Sequence, residues 1–270
     1  MFYTTQTNVT CEKTMRVTLL GTGTSTGIPM IGCTCPVCTS SDSRDTRLRT
    51  AALIESGSGN ILIDAGPDMR QQLLRAGVRS LHAVILTHEH QDHIGGIDDL
   101  RPLNYRMDTP MPVYGHRRTI DAVKKRYYYA FDNNNGGSSR PNLTLHELTA
   151  WQQLTLAGVP ITVLPITHGS LDIFGYRIGN LGYITDASAI STDVVRSLVG
   201  VDTLVINALR DDPHPMHLSF DQAQEYVERI GPKRAFYVHL THDILHATLI
   251  KRLPTHIQPG FDGMMIEVPS

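Results

Sequence analysis

The sequence has no strong excess of charge of either sign and no long hydrophobic run. Its 270 residues contain 24 Lys and Arg against 26 Asp and Glu, so it lacks the global basic field that broad nucleic-acid binding needs. A local basic patch stays compatible with this composition. No stretch approaches the roughly 20 apolar residues of a membrane helix, and the first residues lack the pattern of a signal peptide. We therefore expect a cytoplasmic protein without membrane contact.

The sequence also has few cysteines, and their spacing is unlike that of a disulfide framework. There are four, Cys11, Cys33, Cys35 and Cys38, and three of them fall within six residues. Such crowding in a reducing compartment is typical of metal ligands. Histidine, by contrast, is abundant: the 13 histidines fall partly in tight clusters.

Apolar runs of strand length alternate with helical patterns, which predicts an α/β fold. We expect one domain at 15–270 behind an N-terminal extension at 1–14. The segment from Asp132 to Pro141 has linker composition and predicts a mobile surface loop. The basic aromatic run Lys124 to Phe131 is compatible with a solvated helix face or with a substrate lid. The predicted strands are 16–20, 51–55, 60–64, 83–87, 161–165, 182–185, 203–206 and 235–238, and the predicted helices are 69–76, 97–105, 120–130, 192–199, 220–230 and 246–253.

The strongest motif is THEHQDH at 87–93, which follows an apolar run and precedes a helix start. At such a strand-to-helix junction the alternating His88 and His90 can address one cation, while Asp92 and His93 address a second. Imidazole and carboxylate ligands suit Zn, Mn or Fe. The pattern therefore predicts a site for two divalent cations and does not distinguish among these metals.

The HEHQDH motif resembles the HxHxDH signature of the metallo-β-lactamase fold superfamily. The resemblance runs from about Arg16 to Val268 and implies a four-layer αβ/βα sandwich with two metals at a sheet edge. Asp64, in ILIDAG, matches an acidic residue that supports the site from behind. The implied ligands are His88, His90 and His168 for one metal, Asp92, His93 and His239 for the other, and Asp186 as the bridge.

A second motif, CTCPVC at 33–38, places three thiols where they can bind one soft ion. Its CxCxxC spacing, with Gly32 before it, resembles phosphodiesterases of the PhnP type. That resemblance implies a structural zinc held by Cys33, Cys35 and Cys38 together with the histidine three residues after His239, which here is His242. Cys11 and His246 are alternative fourth ligands.

His217, in HPMHLS, matches a histidine that lies near the leaving group in the phosphodiesterase branch. A hydroxide held between two cations is a nucleophile near neutral pH, since its pKa falls to roughly 7. We expect it to attack phosphorus in line, with Asp92 in the catalytic set and His217 donating a proton or a hydrogen bond to the departing oxygen. The other interpretation of His217 is a surface histidine at a helix start.

The sequence thus predicts a metal-dependent phosphoric diester hydrolase for small phosphodiesters, cyclic ones first. It implies two catalytic divalent cations (Zn, Mn or Fe) and one structural zinc, and it is compatible with a homodimer. The alternatives are an RNA-processing phosphodiesterase of the tRNase Z kind, a thioester or lactam hydrolase, and a non-catalytic zinc-stabilised binding module. Near-neutral charge disfavours long RNA, His217 favours phosphorus over carbonyl chemistry, and the complete set of seven metal-site residues disfavours the binding module.

Overall fold

The computed structural model of the protein describes residues 14–132 and 139–269. Within these ranges the chain forms two seven-stranded sheets that pack face to face, and helices cover the outer side of each. Aliphatic and β-branched residues fill most strand positions, as expected for strands buried on both faces. This four-layer α/β sandwich confirms the predicted fold class.

The first sheet comes from the first half of the chain and its last strand. Side by side, its strands follow the order 14-1-2-3-4-5-6, and the third to the sixth are parallel. Their carboxyl ends therefore lie at one edge of the sheet. The strands are β1 (Thr14–Gly21), β2 (Ala51–Ser56), β3 (Gly59–Ile63), β4 (Ala83–Ile85), β5 (Met111–His116), β6 (Leu143–Leu148) and the C-terminal β14 (Met264–Pro269).

The second sheet comes from the second half of the chain, with the order 13-12-11-10-9-8-7. Its strands from the tenth to the thirteenth are parallel, so their carboxyl ends also share an edge. The strands are β7 (Gln153–Leu156), β8 (Val159–His168), β9 (Leu171–Ile178), β10 (Leu181–Ile184), β11 (Thr203–Asn207), β12 (Arg234–Val238) and β13 (Ile257–Pro259).

The helices lie outside the two sheets. The core between the sheets includes Ile63 and Tyr176, whereas Met69 packs on the outer face of the first sheet and Val227 on that of the second. Three-residue or four-residue 3-10 turns occur at Ser43–Asp45, Ile97–Leu100 and Tyr128–Ala130. The α-helices are α1 (Met69–Arg75), α2 (Gln91–Ile94), α3 (Arg101–Met107), α4 (Arg117–Arg126), α5 (Thr192–Leu198), α6 (Phe220–Ile230) and α7 (His246–Arg252).

Two hydrogen bonds connect the sheets where the HEHQDH motif begins. The Tyr176 hydroxyl on β9 donates to the carbonyl oxygen of Leu86 at 2.6 Å. The backbone N–H of Phe174, also on β9, donates to the carbonyl oxygen of Thr87 at 3.0 Å. Because both bonds reach the segment after β4, they hold the motif against the second sheet.

The predicted strands and helices are all found, with shifted ends. The predicted helix at 97–105 divides into a 3-10 turn and α3, and the one at 120–130 becomes α4 and another turn. The sequence did not predict β5, β6, β7, β9, β13 or β14. β6 and β7 are edge strands with partly exposed positions, so their hydrophobic signal is weak.

Thr14 lies inside the predicted N-terminal extension, yet it pairs with Pro269 as part of β1. The rest of that extension, with Cys11, and residues 133–138 of the predicted loop lie outside the described residues. Across the described ranges, no helix combines the length and the apolarity needed to cross a membrane.

Candidate metal centres

Strand ends from both sheets bring the predicted site residues to one place. Asp64 follows β3 directly, His88 lies three residues after β4, and His168 ends β8. Asp186 and His239 follow β10 and β12. The backbone φ angles of Asp64, Asp186 and His239 are 64°, 58° and 59°, in the left-handed region that costs a non-glycine residue about 1–3 kcal/mol. Surrounding contacts must hold these three residues in place.

Three histidines form the first cluster. Nε2 of His88 and Nδ1 of His90 are 2.9 Å apart, and one ring nitrogen from each of His88, His90 and His168 lies within 4.8 Å of the others. His88 and His168 are buried, while His90 is half-buried. The geometry suits three neutral imidazoles around one borderline divalent cation.

Two histidines and two carboxylates form the second cluster. Nε2 of His93 lies 3.2 Å from Asp92 and 3.4 Å from Asp186, and Nε2 of His239 lies 3.2 Å from Asp186. All four residues are buried. A carboxylate oxygen of Asp186 also lies within 4.8 Å of a ring nitrogen of His168 and of one of His217. The Asp186 carboxylate therefore lies between the two clusters, at the position expected for a bridging ligand.

Hydrogen bonds behind the cluster orient the imidazoles. Nδ1 of His93 donates to Asp64 at 2.8 Å, and Nδ1 of His168 donates to the Met216 carbonyl at 2.9 Å. Nδ1 of His88 lies 3.0 Å from the Thr87 hydroxyl. Because Nδ1 is engaged at each ring, Nε2 is left to face the site.

The backing groups extend beyond the residues predicted from sequence. Nδ1 of His239 lies 3.3 Å from the Thr50 hydroxyl, which itself donates to the Gly23 carbonyl at 2.8 Å. The Thr87 backbone N–H donates to Asp64 at 2.8 Å, which fixes that carboxylate. No sequence motif indicates Thr50 or the Met216 carbonyl. Each is distant in sequence from the histidine that it contacts, and only the fold brings the two together. No backing role was predicted for Thr87, although it directly precedes the HEHQDH motif.

Glu89, the non-ligand residue inside the motif, also has a defined position. Its carboxylate accepts hydrogen bonds from Nε of Arg118 at 2.5 Å and from the Thr119 hydroxyl at 3.0 Å. Both donors belong to α4. Glu89 therefore holds the loop between His88 and His90 against the helix outside the first sheet.

One buried nitrogen supports the presence of a cation. Nε2 of His93 is inaccessible to solvent and makes no well-directed hydrogen bond with any described residue, although Nδ1 of the same ring is bonded to Asp64. A buried polar atom without a partner is costly. Histidine and aspartate donors at this separation fit a divalent cation, which would satisfy Nε2, so the donor set passes this test of fit.

Burial and charge shift the pKa values of the second cluster in opposite directions. Burial lowers the pKa of His93, but the carboxylates of Asp92, Asp186 and Asp64 outweigh it and raise that pKa well above its usual value. Burial raises the pKa of Asp186, yet His239 and His93 hold it well below its usual value. The carboxylates therefore require positive charge at this point, which a divalent cation would supply.

His217 lies beside both clusters, just before α6. Its Nδ1 is 3.8 Å from a carboxylate oxygen of Asp186 and has no hydrogen-bond partner in the described part of the chain, and its ring stacks on His239 with centroids 4.8 Å apart. Burial first, and then the charge of His239, lower the pKa of His217 to about 3. Of the two expected roles, a hydrogen bond from a neutral ring fits this environment better than transfer from an imidazolium.

The three cysteines lie around His242, remote in sequence. The sulfurs of Cys33, Cys35 and Cys38 are 3.4, 3.3 and 3.4 Å from Nδ1 of His242. His246 instead directs Nδ1 towards the guanidinium of Arg47 at 3.3 Å. The geometry thus places His242, rather than His246, as the fourth donor beside the three thiols, and we call these four residues the cysteine–histidine set.

The thiol environment also suits a metal. A hydrogen bond from the Cys38 backbone N–H lowers the pKa of the Cys35 thiol to about 6, whereas burial raises that of the Cys38 thiol to about 11. Three cysteines and one histidine in a tetrahedral arrangement are a common structural zinc site. The ligand roles of both clusters and of the cysteine–histidine set stay predictions.

Comparison with known proteins agrees with this fold. The family model described as the beta-lactamase superfamily domain matches residues 59–240. The chain belongs to this superfamily. It also superimposes on the crystal structure of a diphosphatase from the PhnP family with a TM-score of 0.88 and 35% identity, over 94% of this chain and 97% of that one. This metallo-β-lactamase fold protein therefore lies in the PhnP-like branch, as the sequence motifs predicted.

Two curated relatives are longer than the metallo-β-lactamase fold protein. An octanoyltransferase of Porphyromonas gingivalis is 41% identical over 93% of this chain, which spans 51% of that protein. A ribonuclease Z of Bradyrhizobium diazoefficiens is 32% identical over 136 residues, which are 48% of this chain and 44% of that protein. The fold is thus that of the beta-lactamase superfamily, and the activities of these longer relatives stay their own.

Replacing Asp64 by Asn tests the backing of His93. Asparagine tolerates the left-handed backbone at this position but loses the carboxylate charge. We expect about 10- to 100-fold weaker binding of one divalent cation, because such backing groups orient their ligands. Chelator competition measures this change, with Asp98→Asn as the matched control. Unaltered affinity in Asp64→Asn would contradict the assigned backing role.

Proposed function

We propose that the protein hydrolyses small phosphodiesters with two divalent cations bound at the sheet edge. The observation that carries this proposal is the convergence of seven histidine and aspartate side chains next to His217 in a chain of the PhnP-like branch. The diphosphatase relative supports phosphorus chemistry. The cytoplasmic location, the homodimer and the choice among Zn, Mn and Fe stay predictions.

The residues of the two clusters would bind the cations, and His217 would contact the substrate. His88, His90 and His168 would hold one cation, Asp92, His93 and His239 the other, and Asp186 would bridge them. When bound, such a pair neutralises phosphoryl oxygens and lowers the pKa of a water molecule to roughly 7. His217, neutral at pH 7 because burial lowers its pKa, would donate a hydrogen bond to the departing oxygen.

The exposure of the site residues indicates the side from which a substrate would approach. Asp64 is fully buried and committed to His93 and Thr87, so it contributes orientation and no proton transfer to substrate. His90 and His217 are the half-buried members of the assembly. A phosphodiester that reaches the clusters therefore meets these two imidazoles first.

RNA processing is a second candidate function. The ribonuclease Z relative favours it, and so does a local charge that the total conceals: residues 101–140 contain eight Lys and Arg against three Asp and Glu. Part of this segment contacts the metal motif, since Arg126 donates to the Gln91 side chain at 2.6 Å. Exposed cations next to the clusters could bind further phosphates of a longer substrate.

Substrate panels separate these candidates. The protein loaded with Mn²⁺ or Zn²⁺ should hydrolyse bis-p-nitrophenyl phosphate and 2′,3′-cyclic AMP faster than the monoester p-nitrophenyl phosphate. Faster cleavage of a 3′-extended tRNA would favour RNA processing instead. A loaded protein that cleaves none of these, nor a diphosphate diester, would contradict the proposed function and favour a binding module.

Replacing His217 by Ala tests its place in the reaction. We expect kcat on bis-p-nitrophenyl phosphate to fall about 100-fold or more, because a hydrogen-bond donor to the leaving oxygen is lost. Metal content should stay unchanged. His256→Ala, an exposed histidine, is the matched control. An unaltered kcat would remove His217 from the mechanism, whereas loss of a cation would make it a ligand, as its distance to Asp186 also allows.

A further inference from the structure

One short segment carries a residue of each metal centre. His239 belongs to the second catalytic cluster, and His242, three positions later, belongs to the cysteine–histidine set. Between them Leu240 is fixed by two backbone hydrogen bonds, from its own N–H to the Thr22 carbonyl at 3.0 Å and from the Thr24 N–H to its carbonyl at 3.3 Å. The two histidines are therefore joined by only two residues, one of which is held in place by the segment 22–24.

His239 needs such restraint. Its φ angle of 59° is in the left-handed region, which non-glycine residues adopt only when their surroundings impose it. On the side of the ring, the Thr50 hydroxyl lies 3.3 Å from Nδ1. On the C-terminal side, Leu240 is followed by His242, whose Nδ1 lies 3.4, 3.3 and 3.4 Å from the three cysteine sulfurs.

The cysteine loop is anchored to the same region at its base. Ile28 and Arg47 exchange two backbone hydrogen bonds of 2.8 Å, which close the loop that carries the three cysteines. The buried guanidinium of Arg47 donates to the Thr22 hydroxyl at 2.8 Å, and the Thr22 carbonyl is the acceptor for the Leu240 N–H. Asp45, at the end of the loop, accepts the His246 backbone N–H at 2.7 Å. The loop thus contacts the 239–246 segment directly through Asp45, and Arg47 connects it to Leu240 by way of Thr22.

We propose that the cysteine–histidine zinc site is a positioning site for His239 and thereby sets the affinity of the second catalytic cation. It holds the segment 239–242 so that Nε2 of His239 stays 3.2 Å from Asp186. The first cluster is independent of it, because His168 is held by the Met216 carbonyl and His88 by Thr87. The inference rests on the dinuclear site of the proposed function and does not depend on the substrate.

Zinc-site variants test this coupling through metal binding. His242→Ala and Cys35→Ser remove a donor of the cysteine–histidine set, and His242→Cys keeps four donors, all of them thiols. Mn²⁺ is the probe, since it favours carboxylate and imidazole over thiolate and so reports the catalytic clusters. Calorimetric titration gives the affinities, and electron paramagnetic resonance distinguishes a coupled Mn²⁺ pair from a single ion.

The wild type should bind two Mn²⁺ ions as a coupled pair. His242→Ala and Cys35→Ser, once elemental analysis of zinc-stripped protein confirms that they hold no zinc, should bind one ion with wild-type affinity and the second about 10- to 100-fold more weakly, and His242→Cys should restore the pair. Val227→Ala, which destabilises the core under α6 and removes no donor of either centre, should keep both affinities.

Two results would overturn the coupling: a wild-type coupled pair in the zinc-free variants, or equal weakening of both ions together with the same effect in Val227→Ala. Failure of the proposed function would give a different pattern: the wild type would bind the Mn²⁺ pair but hydrolyse no phosphodiester. The coupling between the zinc site and the second cation would then be unaffected. A wild type that binds no Mn²⁺ pair would overturn both.

Discussion

The rest of the structure depends on one electrostatic constraint: buried carboxylates and imidazoles at a sheet edge need a cation among them. Asp64, Asp92 and Asp186 are almost inaccessible to solvent, and they surround His93, whose pKa they raise well above its usual value. Burying several ionised groups is costly unless they are paired or bind a metal. Within the described residues, the Nε2 atom of His93 is left without a well-directed hydrogen bond at the point where these carboxylates converge.

The fold supplies this arrangement through its strand ends. Parallel strands of the first sheet deliver Asp64 and the HEHQDH motif, while the parallel strands β10 and β12 of the second sheet deliver Asp186 and His239. Two hydrogen bonds from β9 hold the two edges together next to His88. Hydrogen bonds to Nδ1 then direct Nε2 of most imidazoles towards the two clusters.

The sequence predicted the fold class and the candidate ligands because both depend on local patterns. HEHQDH and CTCPVC are contiguous, and the resemblance to the metallo-β-lactamase fold superfamily implied the later ligands, which follow apolar runs. The Thr50 hydroxyl and the Met216 carbonyl were not predicted as hydrogen-bond partners of the histidines. Many residues have a suitable oxygen atom, and only the folded path of the chain determines which one lies next to Nδ1. The environment of His217 was equally hidden, because burial beside His239 determines its pKa. The strands with partly polar faces, such as β6 and β7, lacked a hydrophobic signal.

Elemental analysis of the purified wild-type protein tests the central claim most directly, before and after dialysis against a moderate chelator. The two clusters and the cysteine–histidine set predict close to three metals per chain, of which one zinc resists the chelator and two ions are removed. A single zinc per chain, unchanged after Mn²⁺ or Zn²⁺ is added, would contradict the account. It would show that the buried carboxylates at the sheet edge are neutralised by protons alone.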